Sequence, residues 1–521
     1  MEIKRLEDGI SATSQVHPTD VAAIAARGFR GIICNRPDGE EPGQPDAEQI
    51  AAAAHKAGLD FAHIPVVSGQ ESAADAQAMM QARARMPGPV LAYCRSGARV
   101  ARLVAMGHAA ATGPSYDILI VGGGAAGIAT AASILARQPD MKLAIIEPSE
   151  DHYYQPGWTM VGAGIFSREF THRKEAALIP QGATWIRQSA ASFQPHDNVV
   201  MLADGSRVSY RVLVVCPGIK LDWDAIPGLA AALGQNGVTS NYRGDLAPYT
   251  NRLVRELKTG KALFTQPVMP IKCAGAPQKA MYLSCSRWER SGLLSGIQVQ
   301  FHTAGAVLFG VPAYVPALME YVQRYGVALN LQSKLVAIDG GAQLATFEQV
   351  RDGESRTVQE RFDMIHVVPP QVAPDFLRTS PLAATSGFVE VDEVTLRHKR
   401  FANIFGLGDA CSASNAKTAA AARKQAPVVA VNALSVLDGG EPRAMYDGYG
   451  SCPLTVEAGK IVLAEFGYAG KLLPSFPKWL IDGTRPSRLA WLLKDTILPP
   501  VYWHGMLKGR EWLARPQMMA D

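Results

Sequence analysis

The feature that most constrains the fold of this chain is a glycine-rich turn between an apolar strand and a helix of small residues. Residues 117–121 read Asp-Ile-Leu-Ile-Val and are followed at once by a G-x-G-x-x-G turn. Gly122 permits the tight turn, Gly124 lets a pyrophosphate approach the backbone, and Gly127 allows the helix to pack closely on the strand. The phosphates are expected at the N-terminus of the helix predicted from 128 to 137. This pattern predicts a doubly wound α/β fold that binds a dinucleotide.

Two acidic residues are placed to hold the two ends of that dinucleotide. Glu147 ends the apolar run 142–146, where its carboxylate can accept hydrogen bonds from ribose hydroxyls. Asp409 ends a second strand-to-turn sequence, Ile-Phe-Gly-Leu-Gly-Asp at 404–409, and an aspartate at this late position typically holds the ribityl chain of FAD. Because both ends of the signature are present, we expect FAD rather than NAD as the cofactor.

A second α/β unit, predicted from about 240 to 385, lacks the glycine fingerprint that an NADH-dependent flavoenzyme repeats at this point. Its start instead carries Cys273, just before a helix expected to begin at about Pro277. The field of the helix N-terminus lowers the pKa of such a thiol, and Lys272 and Lys279 add positive charge. Cys273 is therefore the first candidate nucleophile, and an NADH:quinone oxidoreductase is the less favoured alternative.

Four motifs of the chain resemble the type II sulfide:quinone oxidoreductases. They are K-C-A-G-A-P-Q-K at 272–279, H-Y-Y-Q-P at 152–156, K-T-A-A-A at 417–421 and Y-G-S-C-P-L at 449–454. The similarity extends from residue 115 to about 515. It implies FAD, a redox-active cysteine pair, a membrane quinone as electron acceptor, and a sulfane-sulfur product passed to sulfite, glutathione or another small thiol. The candidate FAD-binding residues are then Gly122, Gly124, Ala125, Ala126, Gly127, Glu147, Gln155, Ala190, Asp409, Lys417 and Thr418.

The resemblance also implies an order of events at the sulfur site. Sulfide would attack an oxidised cysteine bridge, which leaves a persulfide on one cysteine and a thiolate on the other. FAD would take up two electrons as the sulfane sulfur leaves, and would pass them to quinone. Lys417 follows the Asp409 turn, where a cation is expected to stabilise the anionic reduced ring.

The partner of Cys273 in such a bridge has two candidates. Cys216 follows an apolar strand and is expected to pack in the core or beside the flavin. Cys285 lies ~12 Å along the predicted helix, too far from Cys273 for a disulfide. Cys411 follows the proposed ribityl-binding turn, whereas Cys452 lies in a segment expected to be a loop. The residues alone leave these two equal, and the resemblance favours Cys452 as the second redox cysteine.

The C-terminal region, 441–521, differs in character from the rest of the chain. Four of the eight tryptophans lie in the last 43 residues, and from Lys471 onward eight Lys and Arg accompany four acids. Interleaved aromatic and basic side chains suit a helix in the headgroup region of a membrane. The alternative is a helix that covers the protein's own core or a subunit interface, as in a homo-oligomer. We expect deletion of 475–521 to release the protein from membranes while sparing FAD.

The N-terminal region, 1–112, reads as a separate small α/β domain. An apolar strand at 90–93 delivers Cys94, and the loop Cys-Arg-Ser-Gly-Ala-Arg ends at Arg99. A thiolate surrounded by backbone N–H groups, a helix N-terminus and arginines is suited to bind an anion or to hold a persulfide. Arg99 lies five positions after the cysteine, one fewer than in tyrosine phosphatases, and the C-R-x-G-x-R form resembles a rhodanese loop.

As a whole this domain is similar to a phosphatase-fold family described as beta-lactamase-hydrolase-like or as sulfurtransferases. That family commonly has Thr at the position of Ala98, which removes one hydroxyl contact here. Because the domain is joined to a predicted sulfide oxidiser, we expect Cys94 to accept sulfane sulfur from glutathione persulfide or thiosulfate. The alternatives are a phosphatase with Asp38 as general acid, although a turn aspartate is the favoured role, and a regulatory module without turnover.

Spacing and composition assign the remaining organisation. A Thr-Gly-Pro-Ser linker at 112–115 precedes the FAD-binding segment 115–240, which resumes at 386–440 after the second unit, 241–385.

With 51 Lys and Arg against 47 Asp and Glu, the formal net charge of +4 excludes a nucleic-acid-coating protein. Seven scattered cysteines favour a reducing compartment, and neither a secretory signal nor a transmembrane run is readable. We expect a peripheral protein on the cytoplasmic side of a bacterial inner membrane.

Overall fold

The computed structural model describes residues 1–7 and 9–519, and within them the chain forms two compact units. The first comprises 1–115 with the short segment 204–209, and the second comprises 116–203 with 210–519. Strands and helices alternate along both units, so the predicted α/β class is confirmed.

The first unit is built on a five-stranded sheet with helices on both faces. Its elements are β1 (Ile3–Glu7), β2 (Ile10–Thr13), α1 (Val21–Ala26), β3 (Gly31–Cys34), α2 (Ala47–Lys56), β4 (Asp60–His63), α3 (Ala73–Arg85), β5 (Val90–Tyr93) and α4 (Ala98–Thr112). The strand order is β1-β2-β5-β3-β4, with β1 antiparallel and the others parallel. Since β5 is central and β3 lies beside it, Cys94 and Asn35 both follow strands at the carboxyl edge of the sheet.

The remaining elements belong to the second unit, and two of their strands begin with residues that are assigned to the first. Its strands are β6 (Ser115–Val121), β7 (Leu143–Ile146), β8 (Asp151–Tyr153), β9 (His172–Lys174), β10 (Ala183–Ile186), β11 (Ala190–Gln194), β12 (Val199–Leu202), β13 (Arg207–Val215), β14 (Lys220–Leu221), β15 (Val238–Thr239), β16 (Gly260–Gln266), β17 (Ile297–Thr303), β18 (Ala328–Asn330), β19 (Ser333–Asp339), β20 (Leu344–Arg351), β21 (Glu354–Arg361), β22 (Met364–His366), β23 (Gln371–Val372), β24 (Ile404–Gly406), β25 (Ala444–Met445), β26 (Gly450–Glu457), β27 (Lys460–Phe466) and β28 (Gln517–Met518). Its helices are α5 (Ala125–Arg137), α6 (Trp158–Gly162), α7 (Leu229–Ala232), α8 (Ala247–Glu256), α9 (Ala276–Arg290), α10 (Val315–Arg324), α11 (Asp375–Arg378), α12 (Ala419–Leu437), α13 (Arg488–Leu492) and α14 (Leu498–Pro500).

The dinucleotide-binding sheet of this unit has the order β10-β7-β6-β13-β12-β11, with β24 beside β13. β6, β7 and β10 run parallel, and β7 and the second half of β6 are fully buried. Continuous apolar strands of this kind are typical of a parallel sheet covered on both faces. The chain leaves β6, β13 and β24 at Gly122, Cys216 and Leu407, at one edge of the sheet.

A second parallel sheet, in the order β15-β22-β16-β17-β18, carries α9 on one face. The antiparallel hairpin β26–β27 packs against the same helix, and the shared core includes Trp288 of α9, Phe301 of β17 and Leu454 of β26. The hairpin therefore brings residues from late in the chain to the start of α9.

The C-terminal tail is not one continuous helix. After α13 it contains α14 and two π-helical turns, Leu493–Ile497 and Val501–Gly505. Tyr502 and Trp503 are buried, whereas Trp512 and Leu513 are 54% and 70% exposed. The sequence left two alternatives for this segment, a cover over the protein's own core and a surface that faces a membrane. The structure shows both buried and exposed aromatic side chains along it. Within residues 1–7 and 9–519, no helix combines the length and apolar character needed to cross a membrane.

Candidate active site

The glycine turn after β6 is shaped to accept a dinucleotide. Gly122 has a φ of +108°, and a Cβ there would lie 2.5 Å from the Cys216 carbonyl oxygen. A Cβ on Gly127 would collide with the Gly122 carbonyl oxygen, so α5 packs closer to β6 than a side chain permits. A Cβ on Gly124 would meet no protein atom within 4 Å. Close packing beneath the turn and open space above it are what a bound pyrophosphate requires.

The N-terminus of α5 supplies the polar groups of this cradle. The helix begins at Ala125 and Ala126, and backbone N–H groups at a helix start attract phosphate because they lack intrahelical partners. Glu147 follows β7, and its Oε2 accepts a hydrogen bond from the Gly123 N–H at 2.7 Å. These residues fit the pyrophosphate and ribose of FAD.

Asp409 and Lys417 lie close together after β24. Gly408 turns the chain with a φ of +69°, and burial raises the pKa of the Asp409 carboxyl although the Lys417 charge opposes the shift. The buried Lys417 donates from Nζ to the Cys411 carbonyl oxygen at 2.8 Å, and its Nζ lies 4.3 Å from the centre of the Phe388 ring. A fixed cation beside a half-buried carboxyl suits the predicted ribityl and flavin end of the site.

Two further candidates from the sequence take positions in regular elements. Thr418 is the N-cap of α12, and its Oγ1 accepts from the Ala421 N–H at 3.1 Å. Ala190 is the buried first residue of β11. The structure therefore gives Thr418 a capping role and Ala190 a place at the end of an edge strand.

The lysine before the proposed nucleophile bonds to Gln155 rather than to the Cys273 sulfur, although the Cys273 charge still acts on it. Lys272 donates from Nζ to Gln155 Oε1 at 2.6 Å, and burial lowers the pKa of Lys272 to about 8. Lys279, one helical turn into α9, is the lysine at the Cys273 sulfur, 3.0 Å away. Gln155 thus connects its own motif to the cysteine segment through Lys272.

Cys273 and Cys452 form a close pair of free thiols. Their sulfurs lie 3.7 Å apart, and a disulfide requires about 2.05 Å. Cys273 has a φ of +52°, a left-handed conformation that costs a non-glycine residue about 1–3 kcal/mol. Its N–H donates to the Lys417 carbonyl oxygen at 2.7 Å, which fixes this conformation. The two sulfurs are therefore positioned to exchange between bridged and reduced forms.

The two thiols of this pair differ in acidity. The hydrogen bond from the Cys452 thiol, together with the Lys279 ammonium, holds the pKa of Cys273 well below its ordinary value. The same hydrogen bond, burial and the charge of Cys273 raise the pKa of Cys452 well above its ordinary value. Burial lowers the pKa of Lys279, but the two sulfurs outweigh burial and raise it. Lys279 Nζ lies 3.0 Å from the Cys273 sulfur and 4.0 Å from the Cys452 sulfur, so this ammonium favours negative charge on Cys273.

Cys452 lies in a strand and not in the loop expected from its Gly-Ser-Cys-Pro sequence. It pairs with Ala464 of β27 and is 2% exposed. Pro453 is tolerated because a two-stranded hairpin has free edges, where no backbone donor is required. A Cβ on Gly275, at the start of α9, would collide with the Cys452 sulfur, so this glycine makes the close approach possible.

The other thiols of this unit have structural positions. Cys411 is fully buried with its sulfur 3.3 Å from the Gly408 carbonyl oxygen, and burial raises its pKa. Cys216 packs on the glycine turn, and Cys285 lies in the core with a pKa raised by burial. Of the two candidate partners that the residues alone leave open, Cys452 is the thiol that lies beside Cys273.

Lys494 is a residue of the site that the sequence analysis missed. It is buried, and its Nζ donates to the Pro156 carbonyl oxygen at 2.9 Å. Burial and the Lys279 charge lower the pKa of Lys494 to about 7, whereas the charges of the two active cysteines oppose that shift. Its basic character was visible only as part of a tail interpreted as membrane-facing, and no local pattern distinguishes a buried lysine from a solvated one.

In the first unit, Cys94 is buried at the carboxyl end of β5. Gly97 turns the loop with a φ of +82°, and its N–H donates to the Cys94 sulfur at 3.2 Å just before α4 begins at Ala98. Asp38 accepts a hydrogen bond at 2.7 Å from the N–H of Ala47, the first residue of α2.

Arg99 is bound within its own domain at two of its three guanidinium nitrogens, and its Nε is buried without a hydrogen-bond partner among the described residues. The buried guanidinium donates to the Asn35 carbonyl oxygen at 2.9 Å and to Glu40 Oε1 at 2.6 Å. Glu40 also binds Arg36 at 2.6 Å. Burial raises the pKa of Glu40, but the two arginines outweigh burial and lower it. The sequence analysis missed this ion pair because Glu40 lies 59 residues away from Arg99.

Comparison with known proteins divides the chain at the same place. Residues 2–111 match the family described as "Beta-lactamase hydrolase-like protein, phosphatase-like domain". A beta-lactamase hydrolase-like protein of Agrobacterium fabrum is 39% identical over 109 residues, which cover 21% of this chain and 25% of that protein. The first unit is therefore similar to a domain that forms a quarter of its relative.

The larger part of the chain is similar to enzymes of sulfide metabolism. The protein named "Sulfide:quinone oxidoreductase, mitochondrial" of Dictyostelium discoideum is 41% identical over 401 residues, which cover 76% of this chain and 87% of that protein. Among solved structures, the fold is similar to the sulfide:quinone oxidoreductase of Aquifex aeolicus, with a TM-score of 0.64 at 18% identity over 78% of this chain and 98% of that one.

Proposed function

Because the chain belongs to the sulfide:quinone oxidoreductase family, we propose that it oxidises sulfide at Cys273 and Cys452 and passes the electrons through FAD to a membrane quinone. Members of this family are FAD-dependent flavoproteins with a quinone as electron acceptor, so the predicted family and cofactor are confirmed. The observation that carries the proposal is the 3.7 Å separation of two thiols of unequal acidity beside Lys279.

The unequal acidity selects the sulfur that sulfide attacks. In thiol–disulfide exchange the thiol of lower pKa leaves faster. Attack of HS⁻ on the Cys452 sulfur of the oxidised bridge would form a Cys452 persulfide and release Cys273 as a thiolate, which Lys279 stabilises at 3.0 Å. Attack on the Cys273 sulfur would instead expel Cys452, whose thiol has the higher pKa.

The remaining steps restore the bridge. FAD supplies a two-electron acceptor that quinone reoxidises. The outer sulfur of the Cys452 persulfide leaves to a thiol such as glutathione, or to sulfite, and the two cysteine sulfurs then re-form their bond with release of two electrons. Lys417 is held 2.8 Å from the Cys411 carbonyl oxygen, which fixes a cation at the flavin end of the site.

Substitution of single cysteines tests this scheme in the full-length holoenzyme. We expect Cys273→Ser and Cys452→Ser to abolish bleaching of the FAD absorbance by sulfide, because neither variant can form the bridge. Cys411→Ser is the matched control, and it should bleach as the wild type does. NADH should bleach none of them.

Either of two results would contradict the scheme. Bleaching of the Cys273→Ser variant at the wild-type rate would remove the nucleophile assigned here. Loss of bleaching in Cys411→Ser with retention in Cys452→Ser would transfer the bridge to the other candidate thiol.

For the first unit we propose sulfur transfer at Cys94. Its thiolate would attack the outer sulfur of glutathione persulfide to form a Cys94 persulfide and release the glutathione thiolate, and sulfite would then accept the sulfur. The proposal is supported by the Gly97 N–H at 3.2 Å from the Cys94 sulfur and by the start of α4 beside it.

Two substrates, each tested with the full-length protein, distinguish sulfur transfer from phosphatase activity. We expect wild type, but not Cys94→Ser, to form thiosulfate from glutathione persulfide and sulfite with sulfide and quinone absent. Hydrolysis of a phosphotyrosine ester by wild type without sulfur transfer would establish the phosphatase alternative instead.

We also propose that the exposed part of the tail attaches the protein to the membrane that holds its quinone. Trp479 is 84% exposed, Leu489, Leu492 and Leu513 are also exposed, and the segment from Lys471 onward contains eight Lys and Arg. Apolar and basic groups together favour the headgroup region. The cytoplasmic face of a bacterial inner membrane remains our prediction for its location, although the Dictyostelium relative is mitochondrial by name.

Vesicle co-sedimentation tests the attachment. We expect Trp479→Ser with Leu489→Ser to weaken sedimentation with phospholipid vesicles and to spare FAD. The matched control is Val268→Ser with Val307→Ser, which removes exposed apolar side chains elsewhere in the same unit. Equal sedimentation of both double variants would contradict the assignment.

A further inference from the structure

An open cleft is formed by the end of the tail and by the segment that follows the β26–β27 hairpin. Its volume is about 1180 Å³, above the ~300–1,000 Å³ of a typical small-molecule site. Residues 509–513 of the tail and residues 472–475 line it, together with Lys424 of α12 and Tyr449. None of these residues takes part in the sulfur chemistry derived above.

The tail segment that lines the cleft is held tightly against α5. Gly509 has a φ of +68°, and a Cβ there would lie 2.6 Å from a carbonyl oxygen of α5, so the two backbones are in close contact. Both carboxyl oxygens of Glu511 accept hydrogen bonds from Arg137, the last residue of α5, at 2.6 and 2.9 Å. This side of the cleft is therefore a fixed surface.

Three exposed apolar side chains, Leu472, Trp512 and Leu513, also belong to the lining. Leu513 has a φ of +53°, a left-handed conformation that costs about 1–3 kcal/mol and persists only where the surrounding structure imposes it. Arg423 of α12 donates to the Trp512 carbonyl oxygen just before this position. The backbone thus holds two large apolar side chains in solvent, which is typical of a surface that contacts an apolar ligand.

The cleft also carries an excess of positive charge, since four basic residues line it against two acidic ones. Glu511 compensates the charge of Arg137. Arg510 and Arg515 are exposed, and neither forms an ion pair with any residue that the structure describes. Guanidinium groups bind phosphate through two parallel hydrogen bonds, so these two arginines suit a phosphate group.

The combination of apolar and basic groups distinguishes between possible ligands. A free phosphate would use the two arginines and leave the exposed Trp512 and Leu513 without a contact. A quinone ring is neutral and has no charge for the arginines to bind. An anionic phospholipid presents a phosphate and acyl chains in one molecule, and basic groups beside apolar ones favour such lipids.

We propose that this cleft binds one anionic phospholipid, with the phosphate at Arg510 and Arg515 and the acyl chains against Leu472, Trp512 and Leu513. The inference rests on the proposed attachment of the tail to a membrane, and it adds the class of lipid that is bound. A membrane rich in anionic lipid is then preferred over a zwitterionic one.

Calorimetric titration of the full-length holoenzyme with short-chain lipids, kept below their micelle-forming concentrations, tests the proposal. Dihexanoyl phosphatidylglycerol has a net negative charge, whereas dihexanoyl phosphatidylcholine has none. We expect the wild type to bind the phosphatidylglycerol about tenfold more tightly, and Arg510→Gln with Arg515→Gln to lose this preference. The matched control, Arg252→Gln with Arg255→Gln, removes two exposed arginines of α8 and should keep it.

Four results would overturn the proposal. Equal affinity of the wild type for the two lipids, or an unchanged preference in Arg510→Gln with Arg515→Gln, would show that these arginines do not bind the phosphate. Glycerol 3-phosphate that binds as tightly as the phosphatidylglycerol would show an anion site without acyl-chain contacts. Displacement of the lipid by a soluble quinone would assign the cleft to the electron acceptor instead.

The titration contains no vesicles, so its result is separate from that of the co-sedimentation test. Lipid binding as expected, with equal sedimentation of the two double variants described above, would reject the proposed attachment through Trp479 and Leu489 and leave the lipid site assigned. Loss of sedimentation with no binding of the short-chain lipids would leave the attachment and reject the site.

Discussion

Gly124 and Gly127 lie three residues apart, yet a methyl group on each would meet different neighbours. A Cβ on Gly127 would collide with the Gly122 carbonyl oxygen, whereas a Cβ on Gly124 would meet no protein atom within 4 Å. We expect Gly127→Ala to destabilise the apoprotein by about 1–3 kcal/mol. Gly124→Ala should leave apoprotein stability unchanged and weaken FAD binding. Denaturant unfolding of both apoproteins and FAD titration measure the difference, and equal stability losses would contradict it.

The ion pair of Lys279 with Cys273 predicts a pH dependence. A lowered pKa means that Cys273 stays a thiolate, and so reacts with iodoacetamide, at pH values below its ordinary range near 8.5. Removing the cation in Lys279→Met should shift the midpoint of alkylation of the reduced protein upward by about 1–3 pH units. The surface variant Lys258→Met is the control. Mass spectrometry of the Cys273 peptide follows the reaction, and an unshifted midpoint would show that Lys279 does not set this pKa.

The glycine turn, the Glu147 carboxylate and the thiol before α9 lie at the backbone positions that the sequence predicts, and each position depends on a few neighbouring residues. Lys494 depends on contacts with residues far away in sequence, and its own segment carries no pattern of a binding site. A motif therefore predicts the backbone conformation near it, whereas tertiary packing decides whether an isolated charged residue is buried.

The tail combines two roles in one short segment, and substitutions can separate them. Tyr502 Oη lies 2.6 Å from His152 Nε2 inside the protein, whereas Trp512 is 54% exposed. We expect Tyr502→Phe to lower the free energy of unfolding by about 1–3 kcal/mol, because a buried nitrogen of His152 then loses its hydrogen-bond partner. Trp512→Ser should change this free energy by less than about 0.5 kcal/mol. Denaturant unfolding measures both variants, and equal losses would contradict the role of Tyr502.

This division also corrects the expected effect of deletion. Removal of 475–521 would take away Tyr502, Trp503 and Lys494, which are all buried, so the deletion is not expected to spare FAD. The amphipathic composition of the segment was readable, but composition does not tell which aromatic side chains face the protein. The same limit explains Cys452, whose turn-like sequence is paired as a strand because β27 lies beside it.

The chain as a whole consists of two units with separate cores, and this predicts two unfolding transitions. A ligand that binds one folded unit stabilises that unit by about 2.7 kcal/mol when present at 100 times its Kd. We expect FAD to raise the transition of the larger unit and to leave the other unchanged. Calorimetry of the full-length apoprotein with and without FAD measures this. A single transition that shifts as one would show that the two units unfold together.

The hydrogen bond between His152 and Tyr502 spans 350 positions of the chain. A ribosome extends a protein from its N-terminus at about 5–20 residues per second, so the glycine turn emerges well before the tail that completes the interior behind it. Until then His152 lacks the Tyr502 hydroxyl group that it contacts in the finished fold. The interior around β8 is consequently completed only at the end of synthesis, and a chain released early would leave this buried imidazole without one of its partners.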